Sequence, residues 1–455
     1  MKIQKFTTDF NILISFFVIL FFTCIGNISH FNLSEMIGMA DSYYYFNNFY
    51  PSKEFSSTVS VYPFGTSLIP YVLLSLGVNS ALGEITLIIA AILVFISVIL
   101  FLKFIRIYDS YNKHTLPLLI IYALILCKGF ISYALGLKPD IVAYLFCFSG
   151  LYFFEKEKNL KSIIFGSLLI SLSCLFKQHS ISFVLGLLLY SIINYKKKNV
   201  LSFGIISFIG YSIAAFLIYT NEAVFKWNVL YPSTDGFMPF MDMVRLNWTL
   251  IPSFVFISTI FLLSIESKFK FKFKLINNPL FFTGIAILAV SILSSFKNGG
   301  NTGNAQTGFF YLIPSIFIFL KGIKFKNSIR IIVFLILFSN IPFHQVTLYK
   351  NYLAQKRIIE LIPNKNYKIL TDSNTYLFSR ILINNKFPIT NINTFFYEKG
   401  IQGYYTYPKN FNPLEYDIIF IRDVYKDSNS SLSMEFLKGN GYNVKKGRGS
   451  IFAIK

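Results

Sequence analysis

Long apolar stretches recur along the chain from residue 10 to residue 346, and short loops that carry lysines separate them. A helix needs roughly 17–25 mostly apolar residues to cross a bilayer. Only 14% of the 455 residues are charged, against about 25% in soluble globular domains. The sequence therefore predicts an all-α polytopic membrane protein with about eleven transmembrane helices. The predicted spans lie near 10–30, 83–105, 115–135, 140–154, 162–176, 180–195, 200–219, 249–265, 279–296, 307–321 and 329–346.

Basic residues alternate between rich and poor loops along this series of spans. One set of loops holds nineteen Lys and Arg residues, whereas the other set holds six. Cytoplasmic loops carry the excess of Lys and Arg in membrane proteins. We therefore predict a cytoplasmic (inner) membrane protein whose N-terminus is cytoplasmic and whose C-terminal region is extracytoplasmic. The first stretch is interpreted as an anchor and not as a signal peptide, because no small-residue cleavage site follows it.

The net charge of +21 also raises the question of nucleic-acid binding. The segment 268–274 alternates Lys and Phe and lies between two predicted spans. A basic, aromatic loop in that place favours anionic lipid headgroups over nucleic acid. We expect membrane lipids as partners and no nucleic acid.

The region from residue 347 to residue 455 has a different character. Short apolar runs at 367–372, 417–422 and 450–455 predict strands, and 373–384 and 431–440 predict helices between them. This alternation is typical of a small α/β domain. The expected organisation is a transmembrane domain at 1–346, with a long first outer loop at 31–82, and an extracytoplasmic α/β domain at 347–455.

Common catalytic and metal-binding motifs are missing from the sequence. The four cysteines, Cys24, Cys127, Cys147 and Cys174, lie inside apolar stretches, without the spacing of a metal site or a disulfide framework. No zinc-protease, phosphate-loop or nucleophile-elbow motif occurs either. The sequence therefore gives no support to a zinc hydrolase, an ATPase or a serine hydrolase.

Ionisable residues in the predicted outer loops are few, and four of them are candidates for function: Asp41, Lys138, Asp140 and Lys177. A carboxylate can act as a general base toward a hydroxyl group. Lysines at the membrane plane can hold the phosphate of a lipid carrier and stabilise it as it leaves. These two tasks are what a transferase with a lipid-phosphate donor requires.

Each candidate also has a structural interpretation. Asp140 follows Pro139 and can simply face the N-terminus of a helix. Lys177 can be a lysine that extends its charge to the membrane interface, Asp41 can cap a helix in its loop, and His179 can be structural. Lys128, inside a predicted span, is a further basic residue that could join the site.

Several short motifs resemble those of the C-type glycosyltransferase superfold, which includes protein O-mannosyltransferases and aminoarabinose transferases. The resemblance runs in order along the chain, with Lys138 in place of an Arg and Phe64 in place of a second Pro. The matching motifs are Asp41-Ser42-Tyr43-Tyr44-Tyr45, Tyr62-Pro63-Phe64-Gly65, Lys138-Pro139-Asp140, Lys177-Gln178 and the Gly- and Asn-rich segment 297–306.

The resemblance implies an enzyme that moves a sugar from a polyprenyl-phosphate carrier to an acceptor outside the cytoplasmic membrane, with inversion at the anomeric carbon. Asp41 would be the catalytic base that deprotonates the acceptor hydroxyl, and Asp140 a second acidic residue that positions the acceptor or supports the base. The implied substrate-binding residues are Lys138, Lys177, Gln178, Tyr44, Tyr62 and His179. No Asp-x-Asp pair is present, so no cofactor or obligatory metal is expected, although a divalent metal is not excluded. The partners would be the lipid-linked donor and a lipid, glycan or protein acceptor.

Two other functions remain open. An O-antigen polymerase also acts on lipid-linked sugars, but such proteins carry their largest outer loop late in the chain. A non-enzymatic flippase or transporter for lipid-linked sugars is the other alternative. Transporters often show internal repeats with broken helices, and no such repeat is evident in this sequence.

Overall fold

The computed structural model describes residues 82–108, 139–220, 278–297, 302–319, 368–371, 389–391, 412–422, 433–447 and 450–455, with isolated residues between 63 and 76 and between 225 and 241. These residues are mostly helical. Four predicted spans lie outside them (10–30, 115–135, 249–265 and 329–346), as do the predicted helix 373–384 and the candidate residues Asp41, Tyr44, Tyr62 and Lys138.

Seven long helices are described before residue 320, and each occupies a stretch that the sequence predicts as a span. Helix formation is therefore confirmed at these seven positions. The helices are α1 (Leu82–Tyr108), α2 (Pro139–Glu157), α3 (Leu160–Leu172), α4 (Ile181–Ile193), α5 (Lys198–Tyr219), α6 (Pro279–Ser295) and α7 (Thr302–Phe319).

Capping residues explain several of the helix starts. Pro139 begins α2, where its missing N–H costs nothing. The Asn159 side chain accepts a hydrogen bond from the Ser162 N–H at 2.8 Å and so caps α3. Asn278 accepts from the Leu280 N–H at 2.9 Å at the start of α6.

The helices pack as a chain of neighbours. Helix α2 contacts α3, both α3 and α4 contact α5, α4 contacts α6, and α6 contacts α7. Helices α2 and α3 approach closely at two glycines, where a Cβ atom added to Gly150 would lie 2.3 Å from the Gly166 carbonyl oxygen. Conversely, a Cβ atom on Gly166 would lie 2.6 Å from the Gly150 oxygen. The two backbones therefore meet at a point that excludes any side chain.

Aromatic rings fill the interior between α1, α2, α4 and α7. The Phe148 ring of α2 lies 5.3 Å from Phe101, 5.1 Å from Phe183 and 5.1 Å from Tyr311, measured between ring centroids. All four side chains are buried. Edge-to-face and offset-stacked pairs of this kind stabilise a core beyond their buried area.

Helix α5 differs from the others in its surface. Among the described residues it is the one helix both long and apolar enough to cross a membrane, with 22 residues. Only 28% of its most apolar 18-residue segment is buried inside the protein. The rest of that apolar surface points away from the protein interior.

The C-terminal region forms a five-stranded sheet in the order β2-β1-β3-β5-β4. Strand β1 is parallel to β2 and β3, whereas β5 is antiparallel to β3 and β4. The strands are β1 (Ile369–Thr371), β2 (Ile389–Asn391), β3 (Ile418–Arg422), β4 (Asn443–Gly447) and β5 (Ser450–Ile454), and the helix α8 (Met434–Gly439) precedes β4.

Strands β1, β3 and β5 and helix α8 lie where the sequence predicts them, whereas β2 and β4 were not predicted. Leu370, Ile419 and Ile451 are buried in a small core with Leu437 of α8. The helices from Ile88 onward and this sheet belong to two separate compact units.

Candidate functional site

A buried ion pair joins the start of α2 to the turn between α3 and α4. The Lys177 Nζ atom lies 3.1 Å from Asp140 Oδ2, and the two side chains are only 4% and 7% exposed. Asp140 stands in the first turn of α2, where a negative charge is favoured by the helix dipole. Two residues that the sequence marked out independently are therefore in direct contact.

The turn that carries Lys177 is built by serine hydroxyls. After α3 ends at Leu172, the chain forms two short 3-10 turns, Ser173–Leu175 and Gln178–Ser180, with Lys177 in extended conformation between them. Ser180 Oγ donates to the Lys177 carbonyl oxygen at 2.7 Å. Ser173 Oγ donates to the Ile170 carbonyl oxygen at 2.6 Å and lies 3.1 Å from Ser180 Oγ.

Tyr211 of α5 holds the same turn from the other side. Its hydroxyl donates to the Gln178 carbonyl oxygen at 3.2 Å and lies 3.1 Å from Ser180 Oγ. Because both partners belong to the turn, α5 fixes the backbone directly after Lys177. The ammonium group of Lys177 is thus presented by a backbone with little freedom to move.

Tyr144 lies one helical turn after Asp140 and faces the same side of α2. Its hydroxyl is 3.4 Å from the His179 carbonyl oxygen and 3.4 Å from Ser182 Oγ of α4. Its ring lies 4.7 Å from the ring of Tyr311 on α7, between centroids. Two buried tyrosine rings therefore lie next to the ion pair.

His179 lies in the turn, outside both flanking helices, and is partly buried. Burial, together with the positive charge of Lys177, lowers the pKa of its imidazole to about 4. Since this pKa is far below 7, the ring is neutral at physiological pH. It can donate one hydrogen bond there but supplies no charge.

A second lysine, Lys297, stands at the end of α6 near this site. Its positive charge also contributes to the lowered pKa of His179, and its backbone forms an isolated bridge with Phe237. The predicted glycine- and amide-rich loop begins at this residue. Two cations and one carboxylate are therefore collected at one end of the helical unit.

The predicted site is brought together only in part. Asp140, Lys177, Gln178 and His179 are adjacent, whereas Asp41, Lys138, Tyr44 and Tyr62 lie outside the described residues. Sequence reasoning missed Tyr144, Ser182, Tyr211 and Tyr311. For Tyr144 a signal existed, because it follows Asp140 by four residues on a predicted helix.

The described residues also bear on metals and cysteines. Within them, no three His, Cys, Asp or Glu side chains lie together in a way that could hold a metal ion. Cys147 and Cys174 are buried and free, which confirms their interpretation as core residues. Cys24 and Cys127 lie outside the described part.

Comparison with known proteins leaves the site without an assigned family. No protein-family model matches the chain, and no curated protein matches it.

Proposed function

We propose that the chain is a polytopic membrane glycosyltransferase that moves a sugar from a polyprenyl-phosphate carrier to an acceptor outside the cytoplasmic membrane. The observation that carries the proposal is the buried ion pair between Asp140 and Lys177. Burying two charges costs several kcal/mol of desolvation for each ion. Ionisable groups kept inside apolar helical proteins commonly mark a functional site.

Lys177 is suited to a phosphate that arrives within the plane of the membrane. A lysine ammonium group has three N–H donors, so Asp140 and a phosphate oxygen can be bound at the same time. The carrier phosphate gains negative charge as the sugar leaves it. A cation fixed beside that position stabilises the transition state more than the ground state.

The transfer itself is a single displacement. The acceptor oxygen attacks the anomeric carbon, the bond from that carbon to the carrier phosphate breaks, and the acceptor proton passes to a carboxylate. In this proposal Asp41 takes the proton, and Asp140 positions Lys177 and supports the base. Lys138, Gln178 and His179 bind the donor phosphate or sugar, and Tyr44 and Tyr62 contact the sugar.

The orientation follows from the charges at the two ends of the helices. Lys156, Lys158 and Lys161 and the run 196–198 lie at the helix ends opposite the ion pair, which supports an orientation with Asp140 on the outer side. In this proposal residues 347–455 are also extracytoplasmic. Labelling of single cysteines introduced at Lys197 and Ser428 in intact cells tests this. Labelling at 428 and not at 197 is expected, and the reverse pattern would overturn the orientation.

The function is tested with purified protein in vesicles that contain a polyprenyl-phosphate-linked sugar. Membranes from a strain lacking the gene supply the acceptor, and mass spectrometry follows the release of polyprenyl phosphate and the glycosylated product. General-base catalysis contributes about 10²–10⁴-fold, so Asp41→Asn should lose that much turnover. Asp140→Asn should lose less.

Glu157→Gln is a matched control, because Glu157 is an exposed carboxylate at the far end of α2 and should keep full turnover. A dead Asp140→Asn beside a normal Asp41→Asn would move the base to Asp140. Normal turnover in both variants would show that neither carboxylate is the base, and would overturn the proposed mechanism.

A flippase for lipid-linked sugars is the second candidate, and the same ion pair favours it. A buried Asp–Lys pair is also found where transporters move ions or anionic substrates. Transfer of labelled donor across a vesicle membrane, with no release of polyprenyl phosphate, would select this function.

A further inference from the structure

Six lysines crowd the end of the helical unit opposite the ion pair. They occupy the turn from α2 to α3 and the turn from α4 to α5, and all six are exposed. We name this surface the basic rim. It consists of Lys156, Lys158, Lys161, Lys196, Lys197 and Lys198.

The two turns are joined into one surface. The Asn199 side chain donates to the Lys158 carbonyl oxygen at 2.7 Å. Below this bond, the rings of Phe154 and Phe203 stack with centroids 4.1 Å apart, and Ser167 Oγ lies 3.0 Å from Ser207 Oγ. The lysines are therefore held near one another by the packing of α2 and α3 against α5.

Acidic groups of the two turns offset only part of this charge. The buried Glu155 carboxylate forms an ion pair with Lys158, with Oε2 and Nζ 3.1 Å apart. The exposed Glu157 accepts a hydrogen bond from Asn159 at 3.1 Å. With two carboxylates against six lysines, the surface keeps a strong positive charge.

Exposed apolar side chains begin directly beside the basic rim. On α3 they recur every fourth residue at Leu160, Ile164 and Leu168, and on α5 they recur at Ile205, Ile209, Ile213 and Leu217. This spacing keeps each row on one helix face. The α5 row covers about 18 Å along the helix axis, more than half of a bilayer's hydrocarbon core.

Tyr195 marks the boundary between the charged and apolar surfaces. It lies next to Lys196 and its side chain is 60% exposed. Tyrosines concentrate at the level of lipid headgroups, where the ring is apolar and the hydroxyl is hydrated. Lysines, a boundary tyrosine and apolar rows follow one another in the order of headgroup, interface and hydrocarbon.

We propose that the basic rim binds the headgroups of anionic phospholipids in the leaflet on its own side of the membrane. This inference rests on the membrane location that the proposed function also requires. Lysine ammonium groups form charge-assisted hydrogen bonds to phosphate oxygens. The neighbouring apolar rows favour a lipid over a nucleic acid, because a lipid supplies acyl chains to cover them.

The test uses the full chain in nanodiscs of phosphatidylcholine with a minor fraction of phosphatidylglycerol. The triple variant Lys196→Gln, Lys197→Gln and Lys198→Gln removes half of the basic rim. One lysine near an anionic surface contributes about 1 kcal/mol, or about fivefold in partition, so the triple variant should retain phosphatidylglycerol on the order of a hundredfold less well. Raising the salt concentration should weaken retention by the unchanged protein, because salt screens exposed charges.

Two matched variants control for charge and for folding. Lys368, Lys438 and Lys445 are exposed in the C-terminal sheet unit, and changing all three to Gln should leave lipid retention unchanged. Changing Lys196, Lys197 and Lys198 to Arg should preserve retention, because the charge is kept.

Equal retention by the Gln triple variant and the unchanged protein would overturn the inference. So would an equal loss in the C-terminal control, or preferred binding of an RNA oligonucleotide. Failure of the unchanged chain to float with vesicles would instead contradict the membrane location, and hence the proposed function. Loss of phosphatidylglycerol retention by the Gln triple variant, with intact sugar transfer, would support the inference. It would leave both the membrane location and the proposed enzymatic function unaffected.

Discussion

The two ends of α2 each carry a carboxylate paired with a lysine at the same distance. Asp140 pairs with Lys177 at 3.1 Å, and Glu155 pairs with Lys158 at 3.1 Å. The surroundings differ, however. Lys177 is 4% exposed and comes from a different element, whereas Lys158 is 53% exposed and lies three residues from its partner.

Burial and connectivity, and not the contact distance, decide what each pair does. Removing one partner of a fully buried pair leaves an uncompensated charge in a poorly solvated place. Removing a lysine that is half in water leaves a carboxylate that keeps a hydrogen bond, because Tyr108 still donates to Glu155 Oε2 at 2.6 Å. The Asp140–Lys177 pair can thus hold α2 to the α3–α4 turn, whereas the Glu155–Lys158 pair stabilises only the local turn after α2.

The largest effect is expected from Lys177→Met. The variant should lose about 3–5 kcal/mol of unfolding free energy, because Asp140 stays buried without its counter-ion. Unfolding by SDS titration in mixed micelles, followed by far-UV circular dichroism, measures this loss. The double variant Asp140→Asn and Lys177→Met should recover most of it, since no charge then remains buried. A single variant as stable as the unchanged protein would contradict the structural importance of the pair.

Tyr108→Phe should have the next largest effect. The Tyr108 hydroxyl donates to a carboxylate, and hydrogen bonds to charged groups contribute about 1.5–3 kcal/mol. The same SDS titration measures the change. Tyr195→Phe is the control, since that side chain is largely exposed. A loss no greater than in the control would show that Glu155 relies on Lys158 alone.

Tyr144→Phe should be milder, although Tyr144 lies at the more buried end. Its hydroxyl has neutral acceptors at 3.4 Å, and such bonds contribute about 0.5–1.5 kcal/mol. The ring contacts with Tyr311 remain in the variant. A melting temperature closer to that of the unchanged protein than to that of Tyr108→Phe is expected. The opposite order would show that the end of α2 near Asp140 depends on its hydroxyl network.

Lys158→Met should have the smallest effect, under about 1 kcal/mol, as for other partly exposed ion pairs. Its melting temperature should stay close to that of the unchanged protein. A loss as large as that of Lys177→Met would remove the contrast between the two ends.

The sequence predicts the helices more closely than it predicts the site. Each of the seven long helices described before residue 320 lies on a predicted span, because long apolar runs bounded by Lys, Pro and Asn leave few alternatives. Asp140 and Lys177 were also predicted, since charged residues between apolar runs are conspicuous. Their direct contact was not, because it depends on how the α3–α4 turn folds over the start of α2.

The remaining site residues carry little signal in the sequence. Tyr311 lies in the run 309–313, where every residue is apolar or aromatic, so periodicity does not separate interior positions from exterior ones. Strands β2 and β4 were missed for a related reason. Strand β2 is three residues long, and β4 contains Lys445 and Lys446, which mask the apolar alternation of a strand.

The contact between Gly150 and Gly166 has a mechanical consequence for the ion pair. Asp140 lies ten residues before Gly150 on α2, which makes a lever arm of about 15 Å. Since neither glycine position has a side chain to interlock, the point where α2 meets α3 can act as a pivot. A rocking motion of about 10° there would move the Asp140 end by about 2.5 Å. A displacement of that size is enough to separate a carboxylate from an ammonium group now 3.1 Å away, so a small tilt between two helices can open and close the pair.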